Sequence, residues 1–241
     1  MEGPVQAFAE TVRLPESELD LGRAALAIAE IEHPGLETVP YLARLDELAA
    51  RSGVAREPAG RARLDRLSAF LFEQEGFRGN ADDYYDPRNS CLNDVLDRRL
   101  GIPITLSVLM LEIGRRVGLA IAGIGLPGHF VVGAQVGGAM VVVDPFGGGR
   151  ALTREDADAL VSRAVGQAVN LTDAHFTPAS KREIITRMLL NLKGIYARRE
   201  DWGKALAVLD RLLIVDPENR AHAGERGTAL ARYRKKLAVL N

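Results

Sequence analysis

An imidazole and a carboxylate at the two ends of one predicted hairpin have the residue types and spacing for chemistry. Gly137-Gly138 is a tight-turn signal between two extended runs. With these glycines at the turn, His129 opposes Phe146, and Asp144 becomes the diagonal neighbour of His129 on the same face. A carboxylate that orients an imidazole is the second half of a nucleophilic triad. A shift of one residue in register would place the two side chains on opposite faces.

The chain has one cysteine, Cys91, so it cannot form an intramolecular disulfide. Cys91 follows Asn89-Ser90, a predicted helix cap, and the unpaired N–H groups in the first turn of a helix lower the pKa of a thiol. The order Cys91, His129, Asp144 suits a papain-like or transglutaminase-like cysteine enzyme. The alternative interpretation is a small buried hydrophobic side chain, because free cysteine is among the most buried residue types.

Composition and motif spacing argue against several other functions. A net charge of −1 and an aromatic content of 5% predict no nucleic-acid binding. The glycines at 147–149 lack the Lys-Ser/Thr of a phosphate-binding loop. No metal centre and no cofactor are predicted, because no two histidines stand three or four residues apart. The four histidines are His33, His129, His175 and His222.

The expected location is the cytoplasm. Residues 1–10 contain no basic region followed by an apolar run, so no signal peptide is predicted. Gly, Glu or Arg interrupts each apolar stretch within about ten residues, which is too short to cross a bilayer. No membrane association is expected.

Helical periodicity dominates the chain and predicts an α+β fold that is mainly helical. Residues 1–76 carry three amphipathic patterns and form the N-terminal helical part. Residues 77–175 form a core in which helices surround a small antiparallel sheet. Its strands are expected at 119–125, 129–136 and 140–143.

Residues 180–241 carry a helical repeat pattern in which small and large apolar positions alternate, so that two antiparallel helices can close on each other. The positions that follow the tetratricopeptide template are Leu189, Leu192, Tyr196, Ala205, Leu209 and Pro217. The segment holds about one and a half repeats, which is too few for a solenoid, so it must pack on the core.

Several sequence blocks, in order, resemble the SirB family from about residue 20 to the end. These blocks are YYDPRNS at 84–90, LNDVL at 92–96, RLGIPI at 99–104, PGHF at 127–130 and DPF at 144–146. The resemblance implies a papain/transglutaminase-like core joined to tetratricopeptide helices. It also implies that His129 and Asp144 occupy the histidine and aspartate positions of the transglutaminase-like triad. The cysteine of working enzymes opens the central helix, and here that helix begins with Pro103-Ile104.

Two functions follow from these patterns. The first is a non-catalytic scaffold that binds an unknown protein partner through the tetratricopeptide helices, because the central helix opens without a cysteine. The second is a cysteine-dependent amidase, peptidase or acyltransferase. In that enzyme the Cys91 thiolate would attack an amide carbonyl, His129 would transfer the proton, and Asp144 would hold the ring.

A small-molecule pocket is a third interpretation. The polar loop before Cys91 contains Tyr84, Tyr85 and Asn89, which together with His129 suit the lining of a binding cleft. Binding needs no nucleophile, and a polar loop beside an apolar cleft is a common kind of site.

Overall fold

The computed structural model describes residues 4–240. Positions 1–3 and 241, at the outer ends of the predicted segments 1–76 and 180–241, lie outside the described residues. Within residues 4–240 the helices are α1 Pro4–Arg13, α2 Leu21–Ala29, α3 Thr38–Arg51, α4 Arg61–Ser68, α5 Leu92–Arg98, α6 Pro103–Arg116, α7 Arg154–Val165, α8 Lys181–Arg198, α9 Trp202–Val215 and α10 Arg220–Leu240. No helix in this range is both long enough and apolar enough to cross a lipid bilayer.

A four-stranded antiparallel sheet lies in the middle of the chain, and its strands are bonded in the order in which they occur in the sequence. Its strands are β3 Ala122–Leu126, β4 His129–Val136, β5 Ala139–Asp144 and β6 Arg150–Leu152. Two strands of two residues each form a separate parallel pair: β1 Arg78–Gly79 and β2 Leu100–Gly101. The predicted fold class, mainly helical α+β with a small antiparallel sheet, is confirmed.

The β4–β5 hairpin has the predicted register. Val136 pairs with Ala139 and Val132 with Val143, so Gly137 and Gly138 are the two turn residues. Both glycines have positive φ, 59° and 85°, as a two-residue hairpin turn requires. The expected first strand at 119–125 begins later, because residue 119 still hydrogen-bonds back to the end of α6. The sequence patterns did not predict β6, which is only three residues long.

Helix α6 packs against β4 of the sheet. It is buried along almost its whole length, since every residue from Pro103 to Gly114 is buried. Most of these residues are apolar, and a helix that is apolar on nearly all sides belongs inside a protein. Its residues share one buried cluster with side chains as distant as Phe8 in α1 and Ala229 in α10. This cluster draws on all three predicted segments, whose boundaries remain a prediction.

Candidate functional site

The ring of His129 and the carboxylate of Asp144 lie in direct contact. His129 Nε2 is 2.9 Å from Asp144 Oδ1, and the two residues are only 6% and 3% exposed. The backbone N–H of Phe146 donates to the same oxygen at 3.1 Å. Because Nε2 faces the carboxylate, Nδ1 is the ring nitrogen left for any other partner. The contact expected from the hairpin register is therefore present, while a catalytic role for the pair remains a prediction.

Two turns fix the positions of His129 and Asp144 in the sheet. His129 is the first residue of β4 and follows Gly128, whose φ of 69° closes the turn from β3. Asp144 is the last residue of β5, and its carbonyl accepts a hydrogen bond from Gly149 at 2.8 Å. A Cβ at Gly147 would stand 2.5 Å from Asp144 Oδ2, so the carboxylate occupies space that only a glycine leaves open.

Strand alternation decides which face of the sheet carries the pair. His129 pairs with Leu126 across the β3–β4 turn, and Leu126 packs in a cluster with Ala157 of α7. Phe130, the next residue of β4, points to the other face and packs in the main core that contains α6. By alternation, His129 and Asp144 point to the same side of the sheet as Leu126. The ring of His129 also lies edge-on to Phe146 at 6.0 Å, and Phe146 packs against the main core.

Aliphatic and hydroxyl side chains occupy the start of α6, where a transglutaminase-like enzyme would carry its cysteine. Pro103 is the first helical residue, and Thr105 and Ser107 follow, both fully buried. Neither hydroxyl has a hydrogen-bond partner among the described residues. A hydroxyl is a weak nucleophile unless a base activates it, and no such contact is present here.

Cys91 lies in a different environment from the one expected. It is the N-cap of α5 and precedes the first turn, and its thiol points at the carbonyl of Pro87 at 3.5 Å. The side chain is completely buried, and burial raises the pKa of the Cys91 thiol well above its usual value. The nearby carboxylates of Asp94 and Glu32 raise it further. The prediction of a lowered pKa is wrong, because desolvation and these carboxylates outweigh the helix N-terminus.

The structure gives no contact between Cys91 and His129. Among the described hydrogen bonds, the thiol of Cys91 contacts the carbonyl of Pro87, and the ring of His129 contacts Asp144. The described contacts thus join His129 to Asp144 and leave the predicted nucleophile apart from both.

The three residues predicted to line a pocket have separate roles. Tyr84 packs edge-on against Phe146, and Tyr85 lies exposed beneath the guanidinium of Arg198 at 4.4 Å. These two tyrosines line a small cavity of about 170 Å³ against α8. Asn89 and His129 are not part of its lining.

Asn89 is fully buried and holds its own loop together. Its side-chain N–H groups donate to the carbonyl of Asp83 at 2.7 Å, and its side-chain oxygen accepts from Asn80 at 3.0 Å. These hydrogen bonds satisfy the amide within residues 80–89, so the structure assigns Asn89 a structural contact and no place in the cavity.

Arg187 of α8 is a neighbour of the pair that the sequence patterns did not indicate. Its guanidinium donates to the carbonyls of Leu126 and His129 at 2.7 and 2.6 Å, so it holds both ends of the turn that presents the ring. Burial lowers the pKa of Arg187, and the nearby Tyr84 opposes this shift. In the sequence Arg187 is one of many arginines on helices, so its type and position do not indicate a contact with His129.

An open groove of about 420 Å³ lies between α8, α9 and α10 and is called the C-terminal groove below. At its rim Lys193 pairs with Glu225 at 2.5 Å, and Arg232 lies over the ring of Trp202 at 4.6 Å. Small and apolar residues make up most of the remaining lining: Gly194, Ala197, Ala205, Leu209 and Ala229. This is the surface that the predicted repeat helices present to solvent.

One group of possible metal ligands lies within the described part of the chain. Single donor atoms of His33, Cys91 and Asp94 all lie within 4.8 Å of one another. The sequence patterns did not indicate this group, because His33 lies 61 residues before Asp94 and such a separation carries no local signal.

Comparison with known proteins decides the family. Residues 40–190 match the family model described as the transglutaminase-like superfamily. This chain belongs to the transglutaminase-like superfamily. Within the superfamily it is similar to a UPF0162 protein of Xylella fastidiosa, with 35% identity over 94% of this chain and 82% of that relative.

Two further relatives match this chain over different shares of their own length. A UPF0162 protein of Vibrio cholerae is 28% identical over 90% of this chain and 79% of its own length. F-box only protein 21 of Mus musculus is 31% identical over 56% of this chain but only 22% of its own length. No solved structure matches the chain. The SirB and tetratricopeptide assignments remain predictions.

Proposed function

We propose that this transglutaminase-like protein is a non-catalytic scaffold that binds a segment of a partner protein in the C-terminal groove. The observation that carries the proposal is the groove itself. Its lining combines small and apolar side chains with charges of both signs, and it includes the Trp202 ring beneath Arg232. Buried aromatic and arginine anchors beside apolar pockets dominate the energetics of protein interfaces.

The His129–Asp144 pair supports the non-catalytic half of the proposal. Both side chains are buried, and the contact described for the imidazole nitrogens is with Asp144 and not with a nucleophile. The Cys91 thiol is buried and has a raised pKa, so it is a poor nucleophile at neutral pH. In this account the pair stabilises the hairpin end through a buried hydrogen bond.

The relationship with F-box only protein 21 supports a modular role. That protein shares sequence with 56% of this chain but is several times longer than the matched part. A segment that recurs inside a much longer protein suits a module whose role depends on the site it carries.

The test is affinity capture with a matched pair of variants. Ala197 is exposed in the C-terminal groove, whereas Ala223 is exposed on α10 outside it. Ala197→Arg fills the groove with a charged side chain, and Ala223→Arg adds the same charge elsewhere. A partner captured by the wild type should be lost with Ala197→Arg and retained with Ala223→Arg.

A catalytic assay tests the other half of the proposal. Turnover of an amide or ester substrate that disappears with His129→Gln, in protein that remains folded, would contradict a non-catalytic role. The scaffold predicts that His129→Gln leaves partner capture unchanged, because the ring lies outside the lining of the groove.

A further inference from the structure

Three side chains from distant parts of the chain converge where α2 ends and α5 begins. His33 lies in the turn after α2, and its backbone N–H donates to Ala29 at 3.0 Å while its carbonyl accepts from Leu36 at 3.1 Å. Cys91 and Asp94 are three residues apart at the start of α5, so they project from the same side of that helix. His33 Nε2 lies 2.6 Å from Asp94 Oδ2.

The carboxylate of Asp94 does not bond the backbone at the start of its own helix. Asp94 stands at the third position of α5, from which an acidic side chain commonly bonds the backbone N–H of the N-cap. In this structure the N–H of Cys91 donates to the carbonyl of Arg88 at 3.2 Å instead, and Asp94 faces His33. The carboxylate therefore points toward the imidazole and the thiol.

We propose that His33, Cys91 and Asp94 form a binding site for a divalent transition-metal cation of the zinc class. Their donor atoms lie within 4.8 Å of one another, and imidazole nitrogen, thiolate sulfur and carboxylate oxygen are the three ligand types that zinc takes. On a tetrahedral zinc ion such donors stand about 3.3–3.7 Å apart. Binding thus opens the His33–Asp94 hydrogen bond and draws the sulfur inward.

The charge balance favours a cation at this position. Of the carboxylates near the thiol, Glu32 is paired with Lys204, and Asp86 is paired with Arg88 and Arg98. Asp94, which lies against the imidazole of His33, is the carboxylate placed to share a cation with the sulfur. When the sulfur–metal bond forms, the S–H bond breaks and its proton passes to solvent. A thiolate, a carboxylate, a neutral imidazole and a doubly charged cation then sum to zero charge, which suits a buried site.

Solvent can reach one side of the cluster, although the sulfur is buried. The side chain of His33 is 35% exposed and that of Asp94 is 12% exposed, so an ion can arrive from the histidine side. Glu32 is already engaged by Tyr196 at 2.8 Å and Lys204 at 2.9 Å. Water completes the coordination, as it does in sites with three protein ligands.

The test uses the full chain, stripped with a chelator and titrated with Co²⁺ and then Zn²⁺. Cobalt bound to a thiolate gives a charge-transfer band in the near ultraviolet, and zinc displaces it. The wild type should bind one equivalent and show the band. Cys91→Ser should abolish the band, and His33→Gln and Asp94→Asn should each weaken Zn²⁺ binding at least about tenfold. His175→Gln is the matched control and should leave the affinity unchanged.

Two outcomes overturn the proposal. One is failure of the folded wild type to bind an equivalent of either metal at micromolar concentration. The other is a band that is lost with Cys91→Ser but unaffected by His33→Gln and Asp94→Asn, since an adventitious thiol contact behaves in this way. If Cys91→Ser does not fold, His33→Gln decides the matter, because that side chain is partly exposed and its replacement leaves the core intact.

Discussion

Asp144 is held in place by close packing as well as by hydrogen bonds, and Gly147 provides the space. A methyl group at this position would stand 2.5 Å from the carboxylate oxygen, so the side chain or the turn has to move. Gly147→Ala should lower the free energy of unfolding by about 1–3 kcal/mol, as overpacking beside a buried polar pair does. Chemical denaturation measures this difference.

The control for this prediction adds the same methyl group in open space. Gly224 lies on α10 and would meet nothing within 4 Å, so Gly224→Ala should be neutral or raise stability by up to about 1 kcal/mol through helix propensity. Equal effects at the two positions would argue against a tightly packed carboxylate.

The contact between His129 and Asp144 was predictable because it depends on a local signal. Two turn glycines fix the register, and the register fixes which residues are neighbours. The surroundings of the pair were not predictable from the sequence. They depend on which residues of the sheet pack with α6 and which pack with α7. The environment of Cys91 was mispredicted for a similar reason, since its carboxylate neighbours include residues distant along the chain.

The short helical turn at Pro87–Ser90 links the polar loop to α5 and depends on its cap, Asp86. Burial acts to raise the pKa of Asp86, but hydrogen bonds and charge from Arg88, followed by the charge of Arg98, outweigh burial and hold the pKa below its usual value. A carboxyl whose pKa is depressed by folding stabilises the native state above its unfolded pKa, about 3.9. That stabilisation is lost as pH falls through the folded pKa.

Two substitutions at Asp86 distinguish its hydrogen bond as a helix cap from the effect of its charge. Asp86→Ala removes the acceptor for the backbone N–H of Arg88 and should cost about 1–2 kcal/mol at neutral pH. Asp86→Asn keeps an acceptor but loses the charge, so its deficit should shrink as the wild-type carboxyl is protonated in acid. Urea unfolding at a series of pH values from neutral to strongly acidic measures both effects. A deficit for Asp86→Asn that stays constant with pH would contradict the assigned shift.

At the scale of the whole molecule, the C-terminal helices are bonded to the N-terminal part through a buried tyrosine. Tyr196 of α8 donates from its hydroxyl to Glu32 at 2.8 Å, and burial followed by this bond raises the pKa of Tyr196. Tyr196→Phe should cost about 1–3 kcal/mol, because the hydrogen bond is to a charged group. Tyr233→Phe, at a partly exposed ring on α10, should stay within about 0.5 kcal/mol.

The sequence pattern indicated that the last helices must pack on the core, but it did not indicate where. That information depends on pairs such as Tyr196 with Glu32 and His33 with Asp94, which are far apart along the chain. Local periodicity predicts helices and their apolar faces, whereas the partner of each face is set by the whole fold. The C-terminal groove and the His33–Cys91–Asp94 cluster are both of this kind.

The most direct test of the scaffold is a titration of an identified partner segment followed by the fluorescence of Trp202, the single tryptophan of the chain. Because this ring lies in the C-terminal groove, its emission should shift on binding. The scaffold account predicts that Ala197→Arg weakens binding at least about tenfold, as a charge forced into an apolar interface does. It also predicts that His129→Gln binds as the wild type does. Unchanged binding by Ala197→Arg, together with loss of binding by folded His129→Gln, would contradict the account.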